Sequence, residues 1–150
     1  MTIASDQENN WTLTTDDLRD AEKTHGAIDA LLIASPANPT GTMLSKQALT
    51  ELSLDCTHAG RWFFSDEIYH GLTYTREATS ALQVGDHNRL IVMNSFSKYF
   101  SMTGWRIGWM IVPPQMVRVV ERLQQNLFIS APTLSQYAAC AALSQSAQDE

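Results

Sequence analysis

The chain has 150 residues, 44% hydrophobic and 17% charged, with a formal net charge of −6. That length suits one ordinary domain, which buries roughly 68–70% of its unfolded surface, and the composition excludes a disordered or fibrous protein. The acidic balance, without any cluster of Lys and Arg, argues against a nucleic-acid partner, and no stretch approaches the ~20 apolar residues that cross a bilayer.

Residues 1–10 carry neither a basic region nor an apolar run, so no secretory leader is expected. Cys56 and Cys140 are far apart and fit no metal or redox spacing, which makes a reduced cytoplasmic protein the default. His25, His58, His70 and His87 are scattered singly and read as structural side chains, with no metal site expected.

Helical and strand patterns alternate along the chain. Thr14-Thr15-Asp16-Asp17 predicts a helix start and Gly26 its stop. Residues 28–35 form an apolar run of strand length. Ser45 caps a second predicted helix, with Ala48, Leu49, Leu52 and Cys56 on one face and Gly60 past its end. Residues 61–66 (RWFFSD), 90–94 (LIVMN) and 105–112 (WRIGWMIV) are three further apolar runs. A helix is predicted after Pro113-Pro114, with Met116, Val120, Leu123 and Leu127 on one face. An Ala-rich helix is predicted over 133–146. The first three runs are continuous, as in strands covered on both faces, and their alternation with helices predicts a three-layer α/β fold with a mostly parallel sheet.

Each apolar run ends in a polar cluster, and in open α/β sheets ligands bind outside the carboxyl ends of the strands. The segment between the third and fourth runs is too short for a parallel crossover. The fourth strand is therefore predicted to be antiparallel to the third, with its beginning at the ligand rim. That rim collects Asn38, Asp66, Tyr69, Ser95, Ser97, Lys98 and Arg106. Lys98 is an amine nucleophile of the kind that forms Schiff bases. The serine hydroxyls and Arg106 suit a phosphate, and Asp66 suits a pyridinium nitrogen. Spacing alone does not name a cofactor, and a solvated loop lysine at a polar strand end fits the same pattern.

The blocks Asn38-Pro39-Thr40-Gly41, Asp66-Glu67-Ile68-Tyr69, Ser95-Phe96-Ser97-Lys98 and Met102-Thr103-Gly104-Trp105-Arg106-Ile107-Gly108, in this order, resemble the class I/II aminotransferases of pyridoxal-phosphate fold type I. The resemblance runs over essentially the whole chain. It implies that Lys98 bonds pyridoxal 5'-phosphate and serves as general base. Asp66 would pair with the pyridine nitrogen, and Tyr69 and Asn38 would hydrogen-bond the phenolic oxygen. Ser95, Ser97 and Arg106 would bind the phosphate. It also marks Asn38–Pro39 as a candidate cis peptide. Trp62, Phe63, Phe64, Trp105 and Trp109 read as packing residues.

The activity so implied is transfer of an amino group between an amino acid and a 2-oxo acid, by a cytoplasmic homodimer in amino acid metabolism. A pyridoxal-phosphate lyase of the same fold, or a non-catalytic module that binds the cofactor in a regulator, shares the same residues. The resemblance places residues 1–150 in the central part of the family's large domain. They carry four strands of its seven-stranded sheet, without the N-terminal segment or the C-terminal small domain. An open sheet edge, uncovered apolar faces and no turnover by these residues alone are therefore expected.

Overall fold

The computed structural model describes residues 1–144. Its elements run α1 (Thr15–His25), β1 (Ala30–Ala34), α2 (Lys46–Ala59), β2 (Trp62–Asp66), β3 (Leu90–Ser95), β4 (Gly108–Ile111), α3 (Pro114–Leu127) and α4 (Thr133–Ala142). Short 3₁₀ turns lie at Ala81–Gln83, His87–Arg89 and Thr103–Trp105.

The helix ends fall where cap chemistry puts them. The Thr14 hydroxyl accepts from the Asp17 N–H while the Asp17 carboxylate accepts from the Thr14 N–H at 2.8 Å, which satisfies two donors that helical bonding leaves free. The Ser45 hydroxyl accepts from the Ala48 N–H at 3.0 Å. Gly60 closes α2 in the left-handed conformation, where a Cβ would be penalised. α4 ends at Ala142; the last two residues of the predicted helix lie outside the described residues.

The four strands pair in the order β1-β2-β3-β4. β1–β2 and β2–β3 are parallel, and β3–β4 is antiparallel. This is the mixed α/β sheet predicted. The fourth strand is shorter than its apolar run, because Trp105 lies in a 3₁₀ turn and Arg106 adopts φ +51°, which takes the chain out of extended geometry.

The principal core joins Leu18 of α1 and Leu49, Leu52 and Cys56 of α2 to Leu31, Phe63, Leu90 and Val92 of the sheet. A fully buried leucine contributes about 1.5–3 kcal/mol, so this single face carries much of the fold. Leu49, Leu52 and Cys56 are the buried face predicted for α2, with Ser53 buried beside them. The opposite face of the sheet is more open. Leu32, which alternates with Leu31, remains 65% exposed, and only β3 buries three consecutive residues, Leu90, Ile91 and Val92. The continuous apolar runs therefore exceed what the described residues cover. The apolar face of α3 shows the same: Leu123 and Leu127 are exposed, Leu127 at 75%.

Arg61, at the junction of α2 and β2, is 4% exposed. Its terminal nitrogens pair with Glu22 of α1, at 2.5 Å, and with Asp55 of α2. Its Nε has no hydrogen-bond partner among the described residues. The Arg61 hydrogen bond holds the Glu22 carboxyl below the usual carboxylate range. Burial pushes the neighbouring Cys56 thiol up to about 11. No helix among the described residues is long and apolar enough to cross a membrane.

Candidate active site

The register aligns the exits of three strands. Ala34 pairs with Asp66 and Asp66 with Met93, and the exit of β3 at Ser95 faces the entry of β4 at Gly108. Side chains just beyond these points share one rim.

Asn38 lies on the loop leaving β1. The Ser35 N–H donates to the Asp66 carbonyl at 3.1 Å, and the Ser35 hydroxyl accepts from the Leu44 N–H at 3.0 Å, which pins both ends of the loop. Both Ser35–Pro36 and Asn38–Pro39 are cis; only the second was expected from the sequence. Asn38 Nδ2 donates to the Tyr69 hydroxyl at 3.1 Å. Asp66 ends β2, and one of its carboxylate oxygens accepts from the Ile68 N–H at 3.1 Å. Lys98 Nζ sits over the ring of Tyr69, 5.5 Å from its centroid, within the range of a cation–π contact. Three segments remote in sequence thus meet at Asn38, Tyr69 and Lys98.

A second group forms where β3 turns into β4. The Ser95 and Ser97 hydroxyl oxygens are 2.9 Å apart, the Ser97 N–H donates to Ser95 Oγ at 3.0 Å, and Ser95 Oγ lies 3.2 Å from the Ile107 carbonyl. The Thr103 hydroxyl donates to the Ser97 carbonyl at 2.6 Å, and the Ser135 hydroxyl of α4 donates to the Trp105 carbonyl at 2.6 Å. These bonds fix the turn from both sides. Arg106 is exposed at its end, with Nη1 donating to the Thr103 carbonyl at 3.0 Å. Among the described residues its side chain makes no other hydrogen bond, which leaves its remaining donors open to an anion. Neither Asp66 nor Arg106 bonds directly to Lys98.

Sequence reasoning missed Glu67. It is 4% exposed, and its Oε1 accepts from the Ser65 hydroxyl (3.1 Å), the Ser80 hydroxyl (3.1 Å) and the Ala81 N–H (2.7 Å). Its Oε2 lies 3.4 Å from Nδ1 of His70. The other ring nitrogen of His70 is 3.0 Å from the Ser35 carbonyl. A carbonyl only accepts, so that nitrogen carries the proton. His70, beside Glu67, thereby ties the exit of β2 to the Asn38 loop through the Ser35 carbonyl. The signal was a charged residue next to an apolar run, which reads as solvated until its buried donors are seen. Trp109 packs edge-on against Phe96 at 4.9 Å but stays 38% exposed, and Trp105 is 46% exposed.

The whole chain, residues 1–150, matches the family described as Aminotransferase class I and II. It is 41% identical over 120 residues to the valine–pyruvate aminotransferase of Mycobacterium tuberculosis, covering 80% of this chain and 31% of that protein. It is 39% identical over 119 residues to the aspartate aminotransferase of Thermotoga maritima, covering 79% and 32%. A solved structure of a Thermus thermophilus aspartate aminotransferase double mutant superposes with a TM-score of 0.90 at 29% identity, covering 98% of this chain and 38% of that one. The fold is therefore of the pyridoxal-phosphate aminotransferase type. The chain belongs to the class I and II aminotransferase family, and spans about a third of the length of the curated relatives it matches.

The family implies pyridoxal phosphate, and the donor set can be tested against that group. An aldehyde needs an amine, a protonated ring nitrogen needs a carboxylate, a phenolate needs donors, and a phosphate needs hydroxyls and a guanidinium. Lys98, Asp66, Tyr69 with Asn38, and Ser95, Ser97 and Arg106 supply these in separate clusters along one rim. The residues fit the group.

Proposed function

We propose that this chain forms the cofactor-anchoring centre of an enzyme that transfers an amino group between an amino acid and a 2-oxo acid. The observation that carries this reading is the convergence of Asn38, Tyr69 and Lys98, with Lys98 Nζ 5.5 Å above the Tyr69 ring. When bound, pyridoxal phosphate supplies an aldehyde for the amino group and a ring that accepts the electron pair left at the α-carbon.

The protein's part is holding and proton transfer. Lys98 Nζ would be the attachment point and the base that takes and returns the substrate α-proton. Asp66 keeps a proton at the ring nitrogen. Tyr69 and Asn38 hold the phenolic oxygen. Ser95, Ser97 and Arg106 grip the phosphate. The substrate is not named by these residues: the relatives include a valine–pyruvate and an aspartate enzyme at nearly equal identity. On this reading the whole enzyme is a cytoplasmic homodimer of amino acid metabolism.

The test is attachment of pyridoxal phosphate. The chain has three lysines, Lys23, Lys46 and Lys98. After borohydride reduction, peptide mapping should find the label at Lys98, and Lys98→Ala should abolish it. Label spread evenly over Lys23 and Lys46 would overturn the assignment. In the full-length enzyme, 2-oxo acid release that requires an added acceptor 2-oxo acid marks transfer; release without one marks a lyase.

A further inference from the structure

Gly71 closes the turn that carries Tyr69, and Tyr99 follows Lys98. A Cβ on Gly71 would lie 2.4 Å from Cδ2, 2.7 Å from Cε2 and 3.0 Å from Cγ of Tyr99. No real Cβ approaches a ring so closely, so the ring rests directly on the glycine backbone. The ring is backed on another side by Phe100, edge-on at 5.1 Å. Phe100 packs in turn on Phe96 at 4.9 Å, and Phe96 is buried in the smaller core with Met102 and Ala139. A line of aromatic contacts therefore runs from that core to the backbone of Gly71.

We propose that Gly71 and Tyr99 are positioning residues: the seat of the Tyr99 ring on Gly71 clasps the Lys98 loop to the Tyr69 turn and sets Lys98 Nζ above the Tyr69 ring. The inference rests on the reading of Lys98 as the attachment lysine, and gives the active-site lysine a second tether besides the turn bonds of β3–β4. Gly71 has φ +87°, so any side chain there meets backbone strain as well as the ring. The two effects separate by changing Tyr99. In the clasp, Gly71→Ala displaces Lys98 when Tyr99 is present and has no further effect on Lys98 when Tyr99 is alanine. Strain alone acts equally in both backgrounds.

The test compares the protein with Gly71→Ala, Tyr99→Ala and the double variant. The first readout needs no cofactor. With ¹³C-labelled lysine, the ε-methylene signal of Lys98 should be shifted by the Tyr69 ring relative to Lys23 and Lys46, and Tyr69→Leu should remove the shift. Gly71→Ala and Tyr99→Ala should each reduce it, and the double variant should match Tyr99→Ala. The second readout is the rate of pyridoxal-phosphate labelling at Lys98. It should fall about 10–100-fold in Gly71→Ala, the cost of a misplacement near 1 Å, again with no further loss in the double variant. An unchanged Lys98 signal in Tyr99→Ala, or the same Gly71→Ala effect in both backgrounds, would overturn the clasp. Failure to label Lys98 in the unsubstituted protein would overturn the attachment reading instead and leave the first readout to decide the clasp.

Discussion

Replacing Glu67 with leucine removes one carboxylate and strands several donors. The Ala81 N–H and the Ser65 hydroxyl, on residues that are themselves buried, lose their bonds to Oε1, and the part-buried Ser80 hydroxyl loses a third. Each buried donor left unpaired costs about 1–3 kcal/mol, and the added apolar burial of leucine returns about 1–2 kcal/mol. The net expectation is a loss of about 3 kcal/mol, a large part of the 5–15 kcal/mol typical of a domain. Glu67→Gln keeps an acceptor oxygen in place and should lose only about 1 kcal/mol. Urea unfolding measures both, as a shift of midpoint at constant slope. The Ala81 amide should also lose protection from hydrogen exchange in Glu67→Leu. If Glu67→Leu unfolds within about 0.5 kcal/mol of the unsubstituted protein, the carboxylate is not the hub of this junction.

Other expectations follow from the same structure. Arg61→Ala leaves Glu22 and Asp55 without their shared cation and should lower the urea midpoint of unfolding; because Glu22 is held below the carboxylate range by Arg61, stability lost as pH falls below the ordinary Glu value should shrink in that variant, as seen by acid titration of unfolding. The Cys56 thiol, raised by burial from 9.0 to about 11, contributes stability that is complete below pH 9 and falls by up to about 3 kcal/mol as pH rises toward 11. Cys56→Ala should flatten that alkaline limb, and in the native protein a thiol reagent should modify exposed Cys140 but not Cys56. Gly108→Ala would place a Cβ 2.7 Å from the Asn94 carbonyl oxygen and 3.2 Å from the Ser95 Cα; it should cost about 1–3 kcal/mol and weaken phosphate-dependent labelling of Lys98, whereas no change in either would show that the strands accommodate it.

The parts legible in the sequence were those set by local chemistry. Thr14, Gly26, Ser45 and Gly60 bound their helices because caps act within a few residues. The antiparallel β4 followed from a connection too short for a crossover. The meeting of Asn38, Tyr69 and Lys98 at the strand exits was readable because polar residues follow the apolar runs. What remained hidden depends on contacts across the fold. Glu67 and His70 become a junction only when Ser35, Ser80 and Ala81 arrive from elsewhere. The seat of Gly71 against the Tyr99 ring depends on a contact between residues 28 positions apart, which no local pattern marks. The exposure of Leu32 and Leu127 was equally unreadable at the single residue, since an apolar run does not say which of its faces will be covered.

The antiparallel return of β4 also sets an order of assembly. Ser95 meets Gly108, and Phe96 meets Ile107, across a short span of chain, whereas the Asn38–Tyr69 bond closes a separation of 31 residues. Loop closure costs more as the span grows, and structure rich in near-neighbour contacts forms faster. The arc carrying Ser95, Ser97, Lys98 and Arg106 is thus expected to organise before the Asn38 loop docks. In pulse-labelled exchange during refolding, the Phe96 and Met102 amides should be protected ahead of the Ser35 amide. The lysine would then wait in a half-built rim, and closing that rim would be the late event of folding.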